Sequence, residues 1–73
     1  MGGKASAITN DIRARRKLAG LSQAALAEAV GATRQTVLAL EAERYAPSLE
    51  LAFRIAHVLG CRVDEVFAFG GEW

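Results

Sequence analysis

Leu21-Ser22-Gln23-Ala24-Ala25-Leu26-Ala27-Glu28-Ala29-Val30-Gly31-Ala32-Thr33-Arg34-Gln35-Thr36-Val37 is the stretch on which the fold turns. Ser22 is a favoured N-cap, because its hydroxyl can accept from the free amides of a first helical turn. Leu26, Ala27 and Val30 follow at i, i+1 and i+4, one face of a helix running from Gln23 to Val30. Gly31 ends that helix, since glycine enters the left-handed conformation without steric cost. Thr33 is the next N-cap and opens a helix from Arg34 to about Glu43, anchored by Val37 and Leu40. Two short helices joined by only Gly31-Ala32-Thr33 cannot lie antiparallel, so a turn this tight is expected to set them at a steep angle. Ala27 and Gly31 are small enough to let them cross closely. That leaves Arg34, Gln35, Thr36, Leu38 and Ala39 of the later helix outside the core.

The flanking sequence supplies three more helices. Asn10 is the expected cap of a first helix, with Asp11 in its first turn, Lys17 in its last and Gly20 as its stop. Ile12 and Ala19, with Ile8 just before, form its apolar stripe, and Arg13, Arg15 and Lys17 face water. After the helix-turn-helix, Arg44-Tyr45-Ala46-Pro47 reads as a loop, because the proline drives Ala46 out of the helical region. Ser48 caps a helix from Leu49 to Leu59, where Ala52, Ile55, Ala56 and Leu59 stand at i, i+3, i+4 and i+7. Gly60 ends it, and a last short helix runs from about Val63 to Phe67. No alternating stretch of useful length precedes residue 66, so a sheet-based fold is not expected. The pattern predicts an all-α, five-helix domain over residues 10–67, with a flexible arm at 1–9 and a short tail at 68–73.

Bulk properties agree with one small globular unit. The 73 residues are 52% hydrophobic and 23% charged, a globular rather than a disordered composition. A core of this size leaves only a few kcal/mol of net stability, and many such chains gain more by self-association. The net charge of +1 hides an asymmetry. Residues 1–44 carry seven cationic groups against four acids, and residues 45–73 carry two against four. A cationic half suits a protein that offers one face to a polyanion, the alternative being ordinary scatter over a small surface. Cys61 is the only cysteine, which rules out an intrachain disulfide and any Cys/His zinc spacing. There is no signal-peptide-like run and no membrane-span window, so a cytoplasmic setting without membrane contact is expected.

The quoted stretch resembles the helix-turn-helix of lambda-repressor-like regulators of the Cro-type (xenobiotic-response-element) class. The later runs Tyr45-Ala46-Pro47-Ser48-Leu49-Glu50-Leu51-Ala52-Phe53-Arg54-Ile55-Ala56 and Val63-Asp64-Glu65-Val66-Phe67 are similar to a compact bacterial branch of it. The likeness extends from about Ile12 to Phe67. It implies a duplex-DNA-binding transcriptional regulator, most often a repressor, that acts as a homodimer on a short inverted repeat. Gln23, at a helix N-terminus, matches a residue that holds a phosphate oxygen in the family. Thr33, Arg34, Gln35 and Thr36 open the helix that enters the major groove. Arg34 can pair with guanine or clamp a phosphate, Gln35 can pair with adenine, and the Thr36 methyl can meet thymine. Ala39 aligns with a position that often carries a longer reading side chain. Arg44 is placed for phosphate contact, whereas Ala42-Glu43 replaces the family's usual Asn-Gly and Glu43 would repel phosphate. Arg16 and Glu41 match a structural pair that bridges the first and third helices in relatives.

The remaining candidates are structural. His57 lies off the apolar stripe of its helix, Cys61 reads as a loop filler, and Asp64 and Glu65 favour the dipole of the last helix. No phosphate-cradling loop, nucleophile elbow or metal motif is present, so neither an enzyme nor a cofactor is expected. The tail residues Val66, Phe67, Phe69 and Trp73 are apolar beyond what a small core needs, and mark a candidate dimer contact. A rival reading keeps the fold as an antitoxin-like module with a protein partner.

Overall fold

The computed structural model describes residues 6–71. Five helices follow one another: α1 (Ile12–Leu18), α2 (Gln23–Val30), α3 (Arg34–Glu41), α4 (Leu49–Leu59) and α5 (Val63–Val66). The strands β1 (Ile8–Asn10) and β2 (Phe67–Phe69) bracket them. The caps explain most of the helix boundaries. Ser22, Thr33 and Ser48 each accept from the backbone amide three residues on. Gly31 and Gly60 end α2 and α4 in the left-handed region, at φ of 76° and 72°.

Ile12, Leu26, Val37, Leu40, Ile55 and Val66 are fully buried and draw one or two side chains from each helix into a single core. Ala27, Val30, Ala52, Ala56 and Phe67 complete it, with Ile8 and Leu59 packed against its edge. Ala19, expected in the stripe of α1, is exposed, because α1 stops one residue earlier and turns at Gly20. The capping residue also differs. Asp11 occupies the cap position of α1 without a side-chain cap bond. Asn10, one residue earlier, accepts the Ile12 amide at 3.0 Å through Oδ1.

The two strands correct the expected ends of the domain. Ile8 pairs with Phe69, Thr9 with Ala68 and Asn10 with Phe67, antiparallel. Backbone bonds from Asp11 to Val66 (3.1 Å) and from Gly70 to Ala7 (2.6 Å) extend the ladder on either side. Ile8 and Thr9, expected in a flexible arm, are therefore held, and Ala68 and Phe69 are strand rather than free tail. Phe67 belongs to β2, so α5 ends at Val66. Three-residue strands are too short to show alternation, and their partners lie 57 to 61 residues apart. Residues 1–5 of the expected arm, and Trp73 of the proposed dimer contact, lie outside the described residues.

Candidate nucleic-acid interface

The exposed side of α3 is set by its helical phase. At about 100° per residue, Val37 and Leu40 point to the core, and Gln35, Leu38, Ala39 and Ala42 fall on the opposite side. Leu38 is 44% exposed, unusual for a leucine beside a complete core. Gln35, Leu38, Ala39, Ala42 and Arg44 line one shallow cleft. A second cleft, lined by Arg13, Arg16, Lys17, Gln23, Leu38, Glu41 and Ala42, reaches from α3 to α1 and α2. Leu38 and Ala42 border both, so they form the ridge between them.

The four residues that open α3, its cap Thr33 included, are split by this phase. Arg34 and Gln35 are exposed, with no hydrogen bond or ion pair from either side chain among the described residues. Thr33 and Thr36 are committed to the cap: Thr33 Oγ1 accepts from the Thr36 amide at 3.1 Å and lies 3.0 Å from Thr36 Oγ1. Both threonines line a different cleft, with Gly31, Ser48 and Arg54. They flank the ridge instead of lying along it.

A buried polar cluster sits under the ridge. Arg16 Nε donates to Glu41 Oε2 at 2.7 Å and Arg16 Nη2 to Glu41 Oε1 at 3.3 Å. The two side chains are only 9% and 8% exposed. Arg16 Nη1 also donates to the Leu21 carbonyl at 2.9 Å, which fixes the α1–α2 turn to the same cluster. Burial would raise the Glu41 carboxyl, but hydrogen bonds from Arg16 and Gln23 and the charges of Arg16 and Arg13 outweigh it, holding Glu41 below the ordinary carboxylate range. Gln23 is thus more than a first-turn residue: its Nε2 donates to Glu41 Oε1 at 3.2 Å. The amide carries a second N–H, now held in a fixed direction.

The C-terminal end of α3 differs from the sequence reading. The helix stops at Glu41, two residues before Glu43, and Glu43 takes φ +59°. Its amide donates to the Leu40 carbonyl at 2.9 Å, and that of Arg44 to Ala39 at 3.1 Å. The left-handed turn usually made by glycine is therefore made by a glutamate. Its carboxylate accepts from the Asn10 amide at 2.9 Å, while Asn10 Nδ2 donates to the Leu40 carbonyl at 2.8 Å. These bonds aim the Glu43 charge toward β1, and Arg44 is left exposed beside Gln35 and Ala39.

The other titratable groups have structural surroundings. His57 is exposed, and it and Cys61 line a cleft with Phe53 and Arg62. Asp64 pairs with Arg62 at 2.9 Å, and Glu65 Oε1 accepts the Arg62 amide at 2.7 Å. The apolar tail contributes less surface than expected, because Val66 and Phe67 are buried in the core. The largest exposed apolar side chains on α4 are Leu49 and Phe53, 72% and 59% exposed and one turn apart. Sequence reasoning passed over these two. It also read Arg13 and Lys17 as merely water-facing, whereas they line the cleft beside Gln23 and Leu38.

Comparison with known proteins agrees with the helix-turn-helix fold. A helix-turn-helix family matches residues 12–66. An HTH-type transcriptional regulator of Methanothermobacter thermautotrophicus is 56% identical over 57 residues, covering 77% of this chain and 83% of that one. One from Methanocaldococcus jannaschii is 40% identical over 60 residues, with 82% and 91% covered. The regulator YgzD of Bacillus subtilis is 43% identical over 58 residues, with 80% and 88% covered. Similar chains thus occur in archaea as well as in a bacterium. Among solved structures, the clp gene regulator ClgR from Corynebacterium glutamicum superposes with a TM-score of 0.68 at 33% identity, over 71% of this chain and 55% of that one.

Proposed function

The chain belongs to the helix-turn-helix family of DNA-binding transcriptional regulators, and from that premise we propose that it is a sequence-specific repressor acting as a homodimer on a short inverted repeat. One observation carries the reading. The ridge of α3 offers Gln35, Leu38 and Ala39 to solvent between Arg34 and Arg44, while both nearby carboxylates are turned away, Glu41 onto Arg16 and Glu43 onto Asn10. A surface of that charge and shape suits a groove walled by phosphates.

In this reading Arg34 and Gln35 pair with base edges, and Leu38 and Ala39 meet thymine methyls. Gln23 and Arg44 hold backbone phosphates. Thr33 and Thr36, on the flank, keep the helix start rigid and face the sugar–phosphate wall. Size supports the dimer. The backbone extends 32 Å along its longest axis and presents one such ridge among the described residues, whereas the next major groove on the same side of a duplex lies about 34 Å away. Leu49 and Phe53 of α4 give the second copy an apolar contact. Repression then needs only occupancy of the site by the dimer.

The test is selection of bound sites from random duplexes, followed by titration of the selected site with Arg34→Ala and Gln35→Ala. Each substitution should cost about 1–3 kcal/mol on the selected site and relax selection at one position. Equal weakening on every duplex would remove the base-reading assignment, and no duplex binding at low salt would remove the whole reading. Sedimentation of Phe53→Lys should shift the protein toward monomer; an unchanged dimer would exclude α4 from the interface. The exposed pair on α4 is also what an antitoxin-like protein contact would use, and that role is compatible with DNA binding.

A further inference from the structure

We infer that α1 is a second DNA-contacting element, in which Arg13 and Lys17 hold a backbone phosphate of the duplex across the cleft from α3. The inference rests on the DNA-binding reading above and adds a site to it. Arg13 and Lys17 are four apart, so they stand on one face of α1. Both are exposed and line the cleft that Gln23, Leu38 and Ala42 close from the other side.

The pattern of ion pairing singles them out. Among the described residues, Arg15 is paired with Asp11, Arg16 with Glu41, Arg54 with Glu50 and Arg62 with Asp64. Arg13 and Lys17 have no such partner among these residues, and neither do Arg34 and Arg44, the two cations that end the α3 ridge. Among the described residues, the exposed cations around α3 are thus the ones left without an ion pair. Among the described residues, the only acid lining the Arg13–Lys17 cleft is Glu41, and its charge is matched by the buried Arg16 guanidinium. What remains is a net positive notch whose lining includes the Gln23 amide held by Glu41. Two flexible cations and an amide donor around one notch suit a phosphodiester oxygen, which accepts from several donors at once.

Duplex binding at a series of salt concentrations tests the site. The probes are the selected site and a random duplex of equal length. Wild type is compared with Arg13→Gln/Lys17→Gln and with Arg15→Gln/Arg62→Gln, which removes the same charge from paired positions. Each neutralised phosphate contributes about 0.9 to the slope of log affinity against log salt, so the first double variant should flatten the slope by about 0.9 for each bound copy of the chain. Affinity near 0.1 M salt should fall on the order of tenfold, equally on both duplexes. The Arg15/Arg62 variant should keep the wild-type slope. Unchanged melting of all three proteins would show that the fold is intact. A wild-type slope in the Arg13/Lys17 variant, or equal flattening in both variants, overturns the inference while leaving DNA binding in place. Loss on the selected duplex alone overturns it too, because it would mean base contact. Absence of salt-dependent duplex binding by wild type would instead overturn the functional reading and the site together.

Discussion

Replacing Arg16 with Met should leave the Glu41 carboxylate buried without its cation, and the structure sets the size of the loss. Arg16 supplies two of the three hydrogen bonds that reach Glu41, at 2.7 and 3.3 Å, and the acid is only 8% exposed. Breaking one side of such a buried pair costs about 3–5 kcal/mol. A domain of 73 residues has roughly 4–11 kcal/mol in total at 0.05–0.15 kcal/mol per residue. The loss is thus a large share of the whole. At about 4–8 °C per kcal/mol, Tm should drop by at least about 12 °C. Arg16→Met/Glu41→Leu removes both charges and keeps the volume, and should recover to within about 1 kcal/mol of wild type or exceed it. Urea unfolding of the single and double variants, read as shifts of the midpoint at constant slope, measures the coupling. An Arg16→Met loss below about 1 kcal/mol, or a double variant no more stable than the single, would refute the reasoning.

The same pair also gives a pH dependence. Glu41 titrates below its ordinary range when folded, so its contribution is fully present above the unfolded value of about 4.3 and is lost as pH falls through the folded one. Glu41→Gln should start from lower stability at neutral pH and lose less than wild type between pH 5 and strong acid, as followed by thermal melts across that window. Thr33→Ala removes the cap of α3 and should cost about 1 kcal/mol, with Thr33→Asp restoring most of it in the same urea titration. At Glu43, alanine and glycine both lose the acceptor for Asn10, but alanine keeps the cost of the left-handed backbone and glycine does not. Glu43→Gly should therefore be the more stable by about 1 kcal/mol, and equal midpoints would show that φ +59° costs nothing here.

Much of the fold was legible because its signals are local. Ser22, Thr33 and Ser48 cap helices through bonds spanning three residues, and Gly31 and Gly60 stop them within one turn. The span of α2 and α4 and the core face Leu26-Ala27-Val30 follow from such short-range rules. The site was legible in outline for the same reason. Arg34 and Gln35 begin the helix after the turn, and a helix phased by Val37 and Leu40 must expose them. The place of Thr36 was not legible, because a first-turn threonine has two uses, and the hydroxyl contact with Thr33 is a matter of side-chain geometry.

The sequence by itself determined the five helices, the helix-turn-helix and the pairing of residue types at Arg16 and Glu41. Only the tertiary structure decided the sheet that joins Ile8–Asn10 to Phe67–Phe69, since its bonds link the two ends of the chain. It also decided that Gln23 is held by Glu41, 18 residues away, and that Glu43 turns to Asn10, 33 residues away. The bare cations gather in the same manner: Arg13 and Lys17 differ from Arg15 only in the face of α1 they occupy and in what that face meets. Caps and periodicity depend on neighbours a few residues apart, and sequence displays them. Which charge is neutralised and which is left exposed depends on elements brought together by the core, and that appears only once the chain has folded.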